Sequence, residues 1–145
     1  MRLGRFNYKE SLLKLSIVIL AAGESARLGE PKQLIELEST TLLKRQCELA
    51  LSISPFAFCV LGYEEALMNK QLPIGLSSIS NPKWKAGMSA SINAAIENIP
   101  GDSDGVLLYL VDQWKLDKEL LINIVDTWYE NPEYICAVGK NADFG

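Results

Sequence analysis

Ser16 to Leu34 reads SIVILAAGESARLGEPKQL. Its first part, to Leu20, is an almost unbroken apolar and β-branched run, which suits a central strand covered on both faces. Gly23, Gly29 and Pro31 then break the run into a loop. Downstream, the pattern turns helical from Thr41 to about Leu51, with Thr40 or Thr41 available as N-cap. Phe56 to Leu61 reads as a second apolar strand ended by Gly62, and a short helix follows from Glu64 to Gln71. Leu76 to Ser80 is a shorter strand, and Asn81-Pro82 marks a turn.

From Met88 onward the apolar positions Met88, Ile92, Ala95, Ile96 and Ile99 fall on one helical face, which Pro100-Gly101 stops. Val106 to Val111 is the strongest strand of the chain. Asp117 can cap a last helix with an inner face of Leu120, Leu121, Ile124, Val125 and Trp128. Tyr134 to Val138 begins one more strand. Strand and helix alternate throughout, which predicts an α/β domain: three layers, a mostly parallel sheet and helices on both faces. Residues 1–14 read as an N-terminal extension and 15–145 as the domain. In such sheets ligands sit at the carboxyl ends of the strands, near a topological switch point.

A chain of 145 residues is one ordinary domain. It can bury about 70% of the surface exposed on unfolding, so it needs neither disulfide nor metal to fold. The net charge of −4 argues against broad nucleic-acid binding, which needs a basic face, but leaves room for one nucleotide held by a few local cations. Histidine is absent, which removes imidazole bases, His-containing triads and His-ligated zinc. The cysteines, Cys47, Cys59 and Cys136, are odd in number, show no metal spacing and lie among apolar residues. They read as buried free thiols of a cytoplasmic protein. Arg2 and Arg5 before the apolar run imitate a secretory signal, but Lys9, Glu10 and Lys14 crowd a core of only about eight residues. No stretch is long enough for a transmembrane helix.

The loop after the first strand carries the chemistry. Ala21, Ala22, Gly23 and Ser25 are small and let a ligand approach the backbone. Gly23 and Gly29 permit angles closed to other residues, so that successive N–H groups can converge on an anion. Arg27 and Lys32 add positive charge, the first suited to bidentate phosphate contact and the second to a point contact. The segment lacks both the Walker A ending and the dinucleotide-binding G-x-G-x-x-G. An ordinary strand-to-helix turn with two surface cations accounts for the composition equally well.

The spacing is more specific. LAAGESARLGEPKQL resembles the signature LAAG-x-S-x-R-x-G-x-PK-x-L of the MobA-like nucleotidyltransferases, and most closely their molybdenum cofactor cytidylyltransferase branch. The resemblance implies a Rossmann-like nucleotidyltransferase fold. It also implies that Leu20, Ala21, Ala22, Gly23, Glu24 and Ser25 lie against the nucleotide, with Arg27 and Lys32 acting on its triphosphate.

Asn81 to Ile92, NPKWKAGMSASI, resembles the family's N-x-x-W-x-x-G-M-x-x-S-I segment. As a loop entering a helix N-terminus, it offers Gly87, Met88, Ser89 and Ser91 for base or sugar recognition. Taken alone, it reads better as a capped helix whose serines satisfy its own first turn. Trp84 either packs on the site or anchors the loop. Asp112 ends the strongest strand, where a carboxylate is well placed to hold Mg²⁺ against phosphates. The family shows D-Q-P there; this chain has Asp112-Gln113-Trp114, a departure that alters the turn. Asp102 and Asp104 read as exposed turn residues.

The resemblance implies transfer of a nucleotidyl group, with CMP from CTP favoured, to a phosphate acceptor such as molybdopterin, with pyrophosphate leaving. No strong base is needed, because the acceptor phosphate is already a nucleophile. Related enzymes continue well beyond the last residues, so the C-terminal part of the fold is expected to be missing. That leaves two alternatives: a catalytically weak nucleotide-binding or interaction domain, and an enzyme acting on a sugar or alcohol phosphate. No nucleic-acid or membrane partner is expected. The oligomeric state is not readable, although an unfinished sheet would favour self-association.

Overall fold

The computed structural model describes residues 13–133. The expected strand from Tyr134 to Val138, Cys136 and the first twelve residues of the expected extension lie outside them. The elements run β1 (Leu15–Leu20), β2 (Glu36–Leu37), β3 (Thr40–Thr41), α1 (Leu42–Ile53), β4 (Ala57–Leu61), α2 (Glu65–Asn69), β5 (Ser77–Ser80), α3 (Met88–Asn98), β6 (Gly105–Leu110) and α4 (Lys118–Glu130). Four strands form a parallel sheet in the order β5-β4-β1-β6. The chain therefore moves outward from β1 through β4 to β5, then returns to the other side of β1 as β6. The order reverses between β1 and β6, whose ends pair at Leu20 and Leu110.

Every residue of β1 is buried, as its apolar run requires of a strand with a neighbour on each side and a layer on each face. Alternation sends Ile17, Ile19 and Ala21 to one face, against Leu43, Cys47 and Ala50 of α1 and Leu121 and Val125 of α4. Val18, Leu20 and Ala22 face the other way, toward Ala95 of α3 and Ile79 of β5. The three-layer α/β architecture is thus the one the alternation predicts. The caps also agree: Thr41 accepts from the Lys44 N–H at 3.2 Å, and Asp117 from the Leu120 N–H at 2.8 Å.

Helix phase agrees with expectation only in part in two places. In α3 the buried residues are Ser91 and Ala95, while Met88 and Ile96 are 55% and 54% exposed. The polar Ser91 goes inside because Asn81, itself buried, donates to its hydroxyl at 2.9 Å. In α4 Leu121 and Val125 are buried and Ile124 and Trp128 pack on the core as expected, but Ile122 and Asp126 are buried too and Leu120 is only half-buried. Apolar residues at 120, 121, 122, 124 and 125 fit several phases, so periodicity alone does not select one.

Two features have no simple sequence signal. The hairpin of β2 and β3 turns on Glu38 and Ser39, both left-handed at φ 52° and 69°, without the usual asparagine or glycine. Lys14 belongs to the folded part. Its N–H donates to Asp104 at 2.7 Å, its ammonium pairs with Asp102 at 2.9 Å, and it lies over the Phe56 ring. The ammonium holds the exposed Asp102 carboxyl below its ordinary value.

Candidate functional site

The carboxyl ends of β1 and β6 open into a cleft of about 270 Å³. Its floor is Leu20, Ala21 and Ala22 on one strand end and Leu110, Val111 and Asp112 on the other. Gly23, Ser25, Lys32 and Gln33 wall one side, and Trp84, Gly87, Met88 and Ser91 wall the opposite one. A topological switch point lined in this way is where ligands collect in open α/β sheets.

Most of the residues singled out from the sequence converge here: Leu20, Ala21, Ala22, Gly23, Ser25, Lys32, Gly87, Met88, Ser91 and Asp112. Glu24, Arg27 and Ser89 do not line the cleft. Arg27 lies exposed on the short 3-10 turn Ala26–Leu28. Ser89 is exposed in the first turn of α3, which has no side-chain cap. The capped-helix reading of Ser89 and Ser91 therefore fails: one is unengaged in a cap, and the other is committed to Asn81.

Loop conformation corrects one expectation. Gly29 is left-handed at φ 72°, but Gly23 is not; Ser25 takes that role at φ 58°. The Lys32 N–H donates to the Ser25 hydroxyl at 3.2 Å, closing the loop and stabilising the left-handed serine. A Cβ on Gly23 would meet nothing within 4 Å, so this glycine matters for the space it leaves toward the cleft. Across the cleft, Gly87 has φ 103° and ψ −173°, a region essentially closed to side chains.

Lys32 and Asp112 meet. The ammonium lies 3.0 Å from the carboxylate Oδ2, and both side chains are a little over one-third exposed. The two charges join the loop of β1 to the end of β6. Trp84 both anchors its loop and lines the cleft. It packs edge-on to Tyr63, with ring centroids 5.5 Å apart, and over Gly62, where a Cβ would come within 2.5 Å of the Trp84 Cβ. Trp114, in the place of the family's proline, is 51% exposed with Lys115 over its ring.

Two buried glutamines were not anticipated. Gln33 donates to the carbonyls of Ala21 at 2.8 Å and Gly23 at 3.0 Å. Gln46 of α1 donates to the carbonyls of Gln113 at 2.9 Å and, more weakly, Val111 at 3.4 Å. One glutamine spans each strand end that floors the cleft. A signal existed for Gln46, a polar residue on the otherwise apolar face of α1. Gln33 follows the conspicuous Lys32 and carries no pattern of its own.

The remaining reactive groups are structural. Tyr109 donates to the Gln46 carbonyl at 2.7 Å, and burial raises its hydroxyl far above the ordinary tyrosine range. Cys47 and Cys59 are free and buried, and a hydrogen bond with Cys47 together with burial raises the Cys59 thiol. Among the described residues, no group of three or more Cys, Asp or Glu side chains could hold a metal ion by itself. Nor is any helix among them long and apolar enough to cross a membrane.

No curated protein matches the chain. Among solved structures it is similar to Rv0371c of Mycobacterium tuberculosis, with 26% identity and a TM-score of 0.70 over 80% of this chain and 60% of that one. A homologue from Mycobacterium sp. strain JC1 gives 29% identity and a TM-score of 0.66 over 79% of this chain and 59% of that one. A nucleotidyl transferase from Methanothermobacter thermautotroptrophicus, 24% identical, shares the fold with a TM-score of 0.68 over 78% of this chain and 57% of that one. The chain thus spans about 60% of the length of these proteins. The profile of the MobA-like NTP transferase domain matches residues 17–145. The parallel sheet, the cleft at its switch point and this match together mean that the chain belongs to the MobA-like NTP transferase domain family.

Proposed function

We propose that the chain binds a nucleoside triphosphate in the cleft between β1 and β6 and transfers its nucleotidyl group to a phosphate acceptor, releasing pyrophosphate. The observation that carries this reading is the convergence of the glycine loop, Lys32, Asp112 and the Gly87–Ser91 segment on one cleft, from parts of the chain far apart in sequence. CTP is the favoured nucleotide and a molybdopterin-type phosphate the favoured acceptor, on the branch resemblance of the Leu20–Leu34 loop. The cytoplasm is the proposed compartment.

The residues divide the work. Ala21, Ala22 and Gly23 give a ligand close access to backbone N–H groups. Lys32 neutralises phosphate charge, and Arg27 reaches the same phosphates from the outer side of the loop. Gly87, Met88 and Ser91 hold the base or sugar, with Glu24 and Ser89 at the margins. Asp112 is the proposed holder of Mg²⁺. A single carboxylate fits a magnesium ion shared with substrate phosphates and does not fit a site made by protein alone. A manganese complex of Rv0371c has been solved. Bound there, the metal would supply positive charge to the α-phosphate and the leaving group.

The contact between Lys32 and Asp112 suits this division. Without ligand, each charge is satisfied by the other. A triphosphate offers Lys32 a stronger partner and frees the carboxylate. Nucleotide and metal should therefore bind cooperatively, each removing the other's competitor. The chain's remaining task is to align the attacking phosphate oxygen with the α-phosphorus.

The test is release of pyrophosphate from CTP and Mg²⁺ on addition of molybdopterin, with GTP and ATP in parallel. Release supports the proposal. Nucleotide binding without release removes the transferase activity and leaves a binding domain. Absence of binding for all three nucleotides overturns the whole reading.

A further inference from the structure

The loop's own geometry rests on Gln33. This side chain is 1% exposed and lines the cleft. Its amide nitrogen donates both hydrogens, to the Ala21 and Gly23 carbonyls, which fixes the amide's orientation; a flipped amide would set oxygen against two oxygens. The amide oxygen is left buried without a hydrogen-bond partner. An unsatisfied buried acceptor is a cost that a methionine of similar length would avoid. The two donated bonds are what offset it.

Peptide planarity passes the effect to the neighbouring N–H groups. The carbonyl of one residue and the N–H of the next lie on opposite sides of a trans peptide. With the carbonyls of Ala21 and Gly23 drawn to Gln33, planarity points the N–H groups of Ala22 and Glu24 away from it. Neither donates to any atom among the described residues. The intervening Ala22 carbonyl accepts from the Tyr63 N–H at 2.9 Å, so the segment is held from both sides. Backbone N–H groups that are free and fixed in direction are suited to an anion.

We infer that Gln33 is the positioning residue of the nucleotide loop: it turns alternate carbonyls away, so that the Ala22 and Glu24 N–H groups are preset for phosphate oxygens. The inference rests on the proposed nucleotide site and assigns the loop's shape within it to one side chain. Gln33 acts through the backbone and touches no reacting atom.

The probe is inorganic tripolyphosphate, titrated calorimetrically into the full chain without metal, beside CTP. Gln33→Met keeps the packing and removes both donors. It should melt cooperatively and bind tripolyphosphate about tenfold or more weakly, the scale of one lost hydrogen bond. Gln33→Glu adds a readout that packing alone would not move. Ionised, its carboxylate repels both carbonyls; protonated, it regains one donor. Its deficit relative to the unaltered chain should therefore shrink as pH falls, over a range that burial raises above the ordinary glutamate value. Should Gln33→Met fail to fold, the Gln33→Glu series decides alone. Unchanged affinity in a folded Gln33→Met chain overturns the inference and leaves the nucleotide site standing. So does a Gln33→Glu deficit that ignores pH, or binding of CTP but not tripolyphosphate by the unaltered chain. If the unaltered chain binds neither ligand, the proposed function falls and this inference falls with it.

Discussion

Lys32 and Asp112 are 80 positions apart, yet their charged atoms meet at 3.0 Å across the cleft mouth. A pair this exposed contributes about 0–1 kcal/mol to stability. Lys32→Ala and Asp112→Ala should therefore melt within a few degrees of the unaltered chain. The proposed roles predict that turnover falls by about 100-fold or more, the scale of losing a charge that acts on the transition state. Thermal melts beside initial rates separate the two effects, and unchanged turnover in either variant removes the role assigned to that residue. Gly62 gives the opposite profile. A Cβ there would stand 2.5 Å from the Cβ of Trp84, which is backbone-fixed and cannot swing aside. Gly62→Ala should cost about 1–3 kcal/mol in denaturant unfolding, and a cost near zero would mean that the Trp84 loop yields freely. Lys32 and Asp112 were legible in the sequence as charges at telling positions. Gly62 was legible only as a strand end, because its closeness to Trp84 is a tertiary fact.

At the scale of elements, buried strands and capped helices were readable because local chemistry and tertiary demand agree. β1 is apolar at nearly every position because both its faces are covered, and Thr41 and Asp117 announce helix starts through their own oxygens. Thr41→Ala and Asp117→Ala should each cost about 1 kcal/mol in chemical unfolding. The phases of α3 and α4 were readable only in part. A serine entered the core of α3 because a distant asparagine satisfies it, and α4 offers more apolar residues than one stripe needs. The β2–β3 hairpin was invisible for a related reason: Glu38 and Ser39 are held left-handed against their preference. Replacing them by Asn-Gly relieves that strain. It should raise stability by about 0.5–1 kcal/mol, read as a shift in the unfolding midpoint at constant slope.

For the whole molecule, one buried hydroxyl ties core and cleft together. Tyr109 of β6 donates to Gln46, and Gln46 holds the segment around Asp112. Burial raises the Tyr109 pKa in the folded chain, so the folded state keeps this proton more tightly than the unfolded one. Its contribution is complete below the unfolded tyrosine value of about 10 and is lost as pH rises beyond it. Alkaline unfolding followed by tyrosine absorbance should show one tyrosine that ionises only as the chain unfolds, and Tyr109→Phe should remove that coupling. The parallel sheet and a cleft at its carboxyl ends were legible in the alternation of elements, whereas the strand order was not. Nor were the two glutamine clamps, since each depends on carbonyls whose direction appears only once the strands are side by side.

The claim on which the account depends is that the loop of β1 binds a triphosphate through Lys32. Calorimetric titration of CTP into the unaltered chain and into Lys32→Ala, each with and without Mg²⁺, tests it most directly. The account predicts saturable one-to-one binding strengthened by Mg²⁺ in the unaltered chain, and a loss of affinity of about tenfold or more in Lys32→Ala. Equal binding by the two chains, or no heat from either, would contradict it.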